Sequence, residues 1–74
     1  MDAKTREYLE AMKSALIESH DACVDAREAV CAKVPSMRER SDEWVQAYCD
    51  IAALLAQQNQ CNHSIGLLMD ILSK

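Results

Sequence analysis

The chain has 74 residues, of which 12 are acidic and 8 are basic, so its formal net charge is −4. This length allows one small domain, residues 1–74, with a small core. The acidic balance argues against a nucleic-acid or anionic-membrane partner, because both need a basic patch, and no apolar run approaches the roughly 20 residues that span a bilayer.

Residue usage favours helices throughout. The chain contains one Gly, one Pro and no Phe, and half of its residues are hydrophobic. Ala, Glu, Lys, Arg, Leu, Met and Gln dominate, and these are the good helix formers. Hairpin turns of the Asn-Gly or Asp-Gly type do not occur. We therefore predict an all-α fold.

The first predicted helix covers about residues 3–33, which contain neither Gly nor Pro and follow a seven-residue repeat. Three adjacent registers make a wide apolar stripe rather than a thin seam. The first register holds Leu9, Leu16, Cys23 and Val30, the second holds Met12, Ser19, Ala26 and Lys33, and the third holds Tyr8, Ala15, Ala22 and Ala29. The small residues of this stripe permit a partner helix to approach closely.

A break is predicted at Pro35, which has no N–H to donate and pushes Val34 away from helical geometry. Ser36 with Glu39 fits a capping box, which restarts a helix at once. Ser41, followed by two acidic residues, is a second possible start. We predict the second helix over about residues 36–73.

The second helix carries an apolar face that returns every three or four residues from Trp44 to Leu72. The polar run 57–63 interrupts the apolar composition of this helix, and Asn62 is a possible cap for a third helix. However, the run has no Gly or Pro, and the apolar phase is the same on both of its sides. We predict an antiparallel hairpin of two long helices, with a three-helix arrangement broken near 59–62 as the alternative.

Surplus apolar surface on the second helix predicts a protein partner, since an isolated two-helix hairpin is marginally stable. The predicted partner-binding residues are Trp44, Tyr48, Ile65, Leu68, Met69 and Leu72. Tryptophan is enriched among interface hot spots, and methionine adapts to irregular surfaces. For Trp44, packing against the first helix near Val30 is the alternative.

The chain has four cysteines but no C-x-x-C motif, which argues against a zinc knuckle or a thioredoxin-type site. With a turn centred near residue 36, Cys23 lies opposite Cys49, so a disulfide is possible under oxidising conditions. The alternative is that both are small buried hydrophobic residues. His20 and Cys23 share a helix face, but too few ligands converge for a metal site. We expect no metal and no cofactor.

Catalytic patterns are missing as well. The chain offers no glycine-rich phosphate loop, no paired carboxylates in an apolar cleft and no Ser/His/Asp arrangement. The charged N-terminal residues lack the apolar core of a signal peptide. We therefore expect a cytoplasmic protein that is not an enzyme.

The segment 48–68 resembles a single tetratricopeptide repeat. Tyr48, the pair Ile51 and Ala52, Leu55, a polar stretch at 59–61 and the small Ser64 fall at that repeat's offsets. This resemblance covers less than half of the chain. A lone repeat cannot bury its faces.

The layout of nearly the whole chain is similar to the small hairpin co-chaperones of type III secretion needle subunits. The matching features are the alanine-rich first helix, the break at Pro35, the aromatic Trp44 and the small-apolar closing run 64–72. This resemblance implies a short acidic cytosolic protein that pairs with a tetratricopeptide-like chaperone. In that family, the co-chaperone and the tetratricopeptide-like chaperone together keep the needle subunit soluble.

The sequence thus predicts a non-enzymatic protein–protein interaction module, a small chaperone or adaptor subunit. Its partner is a helical protein, either a heteromeric helical chaperone or a second copy, bound through the apolar C-terminal arm. Two alternatives remain. One is a self-contained homodimeric bundle with a regulatory or scaffolding role, and the other is a cysteine-linked redox or metal-binding hairpin.

Overall fold

The computed structural model describes all residues, Met1–Lys74, as two antiparallel helices with no strand. Helix α1 spans Ala3–Lys33 and helix α2 spans Asp42–Leu72, each with 31 residues. A short 3-10 helix, Val34–Ser36, continues α1 before a loop at 37–41. The predicted all-α hairpin is confirmed, and α1 has the predicted bounds.

Helix α1 begins with an aspartate cap. The Thr5 backbone N–H donates to Asp2 Oδ1 at 2.7 Å. This hydrogen bond lowers the pKa of the Asp2 carboxyl, because it favours the charged form. A lowered folded-state pKa means that the cap contributes fully at pH values above the ordinary carboxyl range. Its contribution is lost as the pH falls through the lowered value.

Helix α2 begins at Asp42 and not at residue 36, which corrects the predicted start. The Ser36 hydroxyl donates back to the Lys33 carbonyl at 2.8 Å, so it closes α1 instead of opening a new helix. Met37 is extended, with φ −86° and ψ 148°. Arg40 has a left-handed φ of 64°, which a right-handed helix does not accommodate.

The start of α2 is capped by Ser41, whose hydroxyl oxygen accepts from the Trp44 backbone N–H at 3.2 Å. Asp42 and Glu43 occupy the first turn, where the helix dipole favours negative charge. Of the two candidate caps in the sequence, Ser41 is therefore the one that the fold uses.

Ser41→Ala is expected to lower the free energy of unfolding by about 1 kcal/mol, because the Trp44 N–H loses its acceptor. Urea denaturation followed by circular dichroism measures this change. Ser36→Ala is the control, with an expected change within about 0.5 kcal/mol, since that hydroxyl caps no helix N-terminus. Equal losses in the two variants would contradict Ser41 as the cap of α2.

Helix α2 continues through the polar run 57–63, so the three-helix alternative is not adopted. Gln58 and Cys61 take up positions facing α1 at the same spacing as the apolar residues before and after them. The run is polar in composition, but it contains no residue that breaks the backbone hydrogen bonds of a helix.

The two helices meet along one line, which we call the seam. Its residues are less exposed than their neighbours and alternate at spacings of three and four, the pattern of a left-handed coiled coil. On α1 they are Leu9, Lys13, Leu16, His20, Cys23, Arg27, Val30 and, just after the helix, Val34. On α2 they are Trp44, Ala47, Ile51, Leu54, Gln58, Cys61, Ile65, Leu68 and Leu72.

The hairpin is a rod of 56 × 14 × 14 Å, with a radius of gyration of 16.8 Å. A compact chain of this length has a radius of gyration of about 11 Å. Five residues are buried, namely Cys23, Ala47, Cys61, Leu68 and Leu72, and no large side chain is fully buried. The core is thus a single line of contacts with solvent on both sides.

Candidate protein-binding groove

The seam divides the surface of the hairpin into two sides. A hollow lined by Cys31, Val34, Pro35, Tyr48 and Ile51 marks the first side. Two other hollows mark the second side, one between Lys33 and Asp50 near the loop and one between Met12 and Ile71 near the open end. Because residues seven apart stay on one side of a coiled coil, these hollows assign a side to every residue next to the seam.

The first side carries an apolar strip, interrupted on α2 by Asn62 between Leu55 and Met69, which we call the apolar groove. Its residues are Ile17, Val24, Cys31, Tyr48, Leu55 and Met69. The residues Tyr48, Leu55 and Met69 are 48%, 41% and 56% exposed. Between Tyr48 and Met69 the groove follows α2 for about 30 Å, at a rise of about 1.5 Å per residue. An exposed apolar strip of this kind is typical of an interaction site.

The second side is mixed in character. The residues that flank the seam there are mostly polar or charged, including Ser19, Lys33, Glu43, Asp50 and Gln57. Apolar residues collect only at the open end, where Met12, Leu67 and Ile71 border a hollow. The long apolar strip is therefore confined to the first side.

The six predicted partner-binding residues fall into two groups. Tyr48 and Met69 lie in the apolar groove. Trp44 is half-buried at the loop end of the seam, with its ring centroid 4.5 Å from that of Tyr48 at an interplanar angle of 55°. Ile65 is half-buried in the seam, while Leu68 and Leu72 are buried there. In the folded hairpin, Tyr48 and Met69 are the members of this set that offer the most surface to a partner.

The register of the two helices explains why the C-terminal leucines are covered. Arg6 Nη1 donates to the Leu72 carbonyl oxygen at 3.2 Å, so the last turn of α2 lies level with the first turns of α1. In the pairing predicted from the sequence, with a turn centred near residue 36, the last apolar residues of α2 had no partner on α1. The longer connection, which extends to Ser41, shifts α2 along α1. Leu9 and Leu16 then lie in the part of the seam that contains Leu68 and Leu72.

The same shift separates Cys23 from Cys49. All four cysteines are free thiols, Cys23 is buried and Cys49 is exposed. The hollows that both helices line set the register and place Cys23 level with the turn of α2 between Leu54 and Gln58. At a rise of about 1.5 Å per residue, this turn is about 9 Å along the helix axis from Cys49. Disulfides need Cα atoms within about 7 Å, so the structure does not bring the predicted pair together.

His20 lies in the seam, where its Nδ1 is 3.1 Å from Asp21 Oδ1. No group of three His, Cys, Asp or Glu side chains is arranged to hold a metal ion.

Four groove residues lie outside the predicted set: Ile17, Val24, Cys31 and Leu55. A signal for three of them is present in the sequence, because Ile17, Val24 and Cys31 form an apolar register with spacings of seven. Their exposure depends on which neighbouring register enters the seam, and the apolar pattern of α1 alone does not determine that choice.

Charge is distributed unequally between the two walls of the groove. Between residues 7 and 32, the cations of α1 are Lys13 and Arg27, and both lie in the seam. The exposed charges of that stretch are all acidic, namely Glu7, Glu10, Glu18, Asp21, Asp25 and Glu28. In contrast, α2 has no Asp, Glu, Lys or Arg from Ile51 to Met69, and His63 is the one basic side chain of that stretch. The groove therefore has one acidic wall and one uncharged wall.

Neither helix is long and apolar enough to cross a membrane. No protein-family model, curated protein or solved structure matches this chain.

Proposed function

We propose that this chain is a non-enzymatic protein–protein interaction module, a small cytoplasmic chaperone or adaptor subunit. It binds one helix of another protein in the apolar groove. The observation that carries this proposal is the half-exposed strip of Tyr48, Leu55 and Met69 on a hairpin with no fully buried large side chain. A partner helix laid in the groove gives these side chains the second layer of contacts that the hairpin alone lacks.

The exposed area is consistent with one partner. The chain has 5494 Å² of accessible surface, whereas a compact monomer of its mass exposes about 4,600 Å². The surplus of about 900 Å² is close to the 800 Å² or so that one protein contributes to a standard interface. The hairpin therefore exposes about one interface more surface than a compact monomer.

Gly66 supports close approach of a helix beside Met69. A mid-helix glycine costs about 1 kcal/mol relative to alanine. Apart from its chain neighbours and the adjacent backbone of α2, no atom of the hairpin lies within 4 Å of the position that a Cβ would take at Gly66. No packing constraint within the hairpin requires the glycine, and it leaves the backbone of α2 open next to the groove.

The chaperone or adaptor role rests on the kind of surface and on the resemblance to the needle-subunit co-chaperones. A protein that presents a helix-binding groove along its length can cover an amphipathic helix that would otherwise aggregate. Four free thiols are the usual state of cysteines in a reducing cytoplasm.

A self-contained homodimer is the second candidate function, favoured by the equal lengths of the two helices, 31 residues each. Two copies packed groove to groove form a four-helix bundle of matched helices around a two-fold axis. Such a bundle has a scaffolding or regulatory role and needs no other protein.

Leu55→Asp tests the groove, with Leu67→Asp as the control on the other side of the hairpin. Both leucines are exposed, so neither change disrupts the seam. The probe is a tryptophan-free peptide of about 28 residues, with leucine at heptad positions and alanine and glutamine elsewhere; its binding is followed by Trp44 fluorescence. We expect Leu55→Asp to weaken binding about 30-fold, the effect of a hot-spot loss of about 2 kcal/mol. We expect Leu67→Asp to change it less than about threefold.

Equal affinities of the two variants would contradict the groove as the binding surface. Light scattering of the unmodified chain over a concentration series, with reductant present, decides between the two candidate functions. A concentration-independent dimer that Leu55→Asp converts to a monomer would establish the homodimer. A monomer that binds the peptide supports the adaptor or chaperone subunit.

A further inference from the structure

Building on the proposed function, we propose that the helix that occupies the apolar groove carries Lys or Arg along the edge that lies beside α1. The basis is the combination of an apolar groove with one acidic wall and one uncharged wall.

The acidic wall borders the groove directly. Asp21 is four residues after Ile17 and three before Val24, while Glu28 is four after Val24 and three before Cys31. Residues at these spacings are neighbours on a helix surface. Asp21 and Glu28 are both exposed, and we call the pair the acidic edge. A helix resting on Ile17, Val24 and Cys31 has its flank within reach of both carboxylates.

The acidic edge is not neutralised by a lysine or arginine of the hairpin. Glu28 makes no ion pair, and Asp21 contacts only His20. Of the cations in the middle of α1, Lys13 pairs with Glu10 at 3.2 Å and Arg27 has its Nε buried in the seam. The other basic residues lie near the helix ends or in the loop. A cation from another protein is therefore the matching partner for this edge.

The opposite wall determines which way the partner helix faces. Because α2 has no Asp, Glu, Lys or Arg between Ile51 and Met69, the flank beside α2 meets alanine, asparagine and glycine, as at Ala52, Asn59 and Gly66. A charged side chain there finds no counter-charge. The partner helix therefore has an apolar stripe, a basic flank beside α1 and a small or uncharged flank beside α2.

The same charges argue against a second copy as the occupant. A second copy brings its own Asp21 and Glu28 to the interface, and between residues 7 and 32 it has no exposed lysine or arginine to pair with them. It also doubles a net charge that is already −4. Charge complementarity therefore favours a basic amphipathic helix over self-association.

Three synthetic peptides test the partner chemistry. They share the leucine stripe of the peptide above and differ only at the flanking heptad positions, which are all lysine, all glutamine or all glutamate. We expect affinities in the order lysine, glutamine, glutamate at low ionic strength, with the lysine peptide binding at least tenfold more tightly than the glutamate peptide. We also expect the lysine advantage to shrink as salt is added, since exposed charges are screened.

A matched pair of double variants locates the effect on the acidic edge. Asp21→Asn with Glu28→Gln removes the edge, and Glu18→Gln with Asp25→Asn removes the same two kinds of carboxylate from the outer face of α1. The two residues of each pair are seven positions apart, and both double variants raise the net charge by the same amount. We expect the first variant to lose about fivefold in affinity for the lysine peptide. We expect the control to lose less than twofold, because its carboxylates lie away from the groove.

The outcomes separate this inference from the function on which it rests. If all three peptides bind equally, or the two double variants behave alike, the basic partner is overturned while the helix-binding groove remains. If none of the three peptides binds to the monomeric chain, the proposed function itself fails. A groove-dependent dimer that the lysine peptide does not displace identifies a second copy as the occupant and also overturns the inference.

Discussion

Leu68→Ala is expected to lower the free energy of unfolding by about 3 kcal/mol, the usual cost of removing a buried leucine side chain. Leu68 is 7% exposed in the seam, whereas its neighbour Leu67 is 52% exposed. Leu67→Ala removes the same atoms from the same turn of α2, and it should cost less than about 1 kcal/mol because little apolar area returns to water. The contrast between two adjacent leucines isolates burial from helix propensity.

Urea denaturation and thermal melting, both followed by circular dichroism, measure these two changes. A single domain of this length has a total stability of roughly 4–11 kcal/mol, at about 0.05–0.15 kcal/mol per residue. A loss of about 3 kcal/mol is therefore a large part of the total and should leave Leu68→Ala partly unfolded near 37 °C. If Leu67→Ala were the more damaging change, α2 would have to be rotated relative to α1, and the groove would be on the wrong side.

Local sequence signals were sufficient for the hairpin and for one of its helices. The bounds of α1 follow from the run of good helix formers that ends before Pro35. The start of α2 was predicted wrongly, since Ser36 and Ser41 both have the chemistry of a cap. The backbone decides between them, because Arg40, which lies between the two serines, takes a positive φ. A glycine or asparagine at that position would have indicated a positive φ in the sequence, whereas an arginine does not.

The binding surface was less predictable, because it depends on the register and on the choice of seam. The seam on α1 uses the line of Lys13, His20 and Arg27 in place of the more apolar line that begins at Met12. Long cationic side chains can lay their methylene stems along a seam while the charged heads reach solvent, so a count of apolar residues misses them. Once this line is in the seam, Ile17 and Val24 line the groove and Met12 belongs to the other side.

The polar residues of the seam lead to the second large expected effect. Arg27 Nε and Gln58 Oε1 are both buried without a hydrogen-bond partner. An unsatisfied buried polar group costs about 1–3 kcal/mol, and more for a charged one. Arg27→Leu with Gln58→Leu removes both groups and adds apolar contact. We therefore expect the double variant to be more stable by about 2–4 kcal/mol, which corresponds to two such penalties in the lower part of that range.

Thermal melting measures this gain, which corresponds to a rise in Tm of roughly 8–32 °C at about 4–8 °C per kcal/mol for a small domain. Gln57→Leu is the control, since Gln57 precedes Gln58 on α2 but is exposed, and that change should leave Tm nearly unchanged. A double variant that melts lower than the unmodified chain would contradict the assignment. It would mean that Arg27 and Gln58 hold the register of the hairpin, a role that buried polar groups fill in some coiled coils. Because neither residue lines the apolar groove, the stabilised variant should bind the leucine-striped peptide as the unmodified chain does, and this separates the stability of the hairpin from the properties of its binding surface.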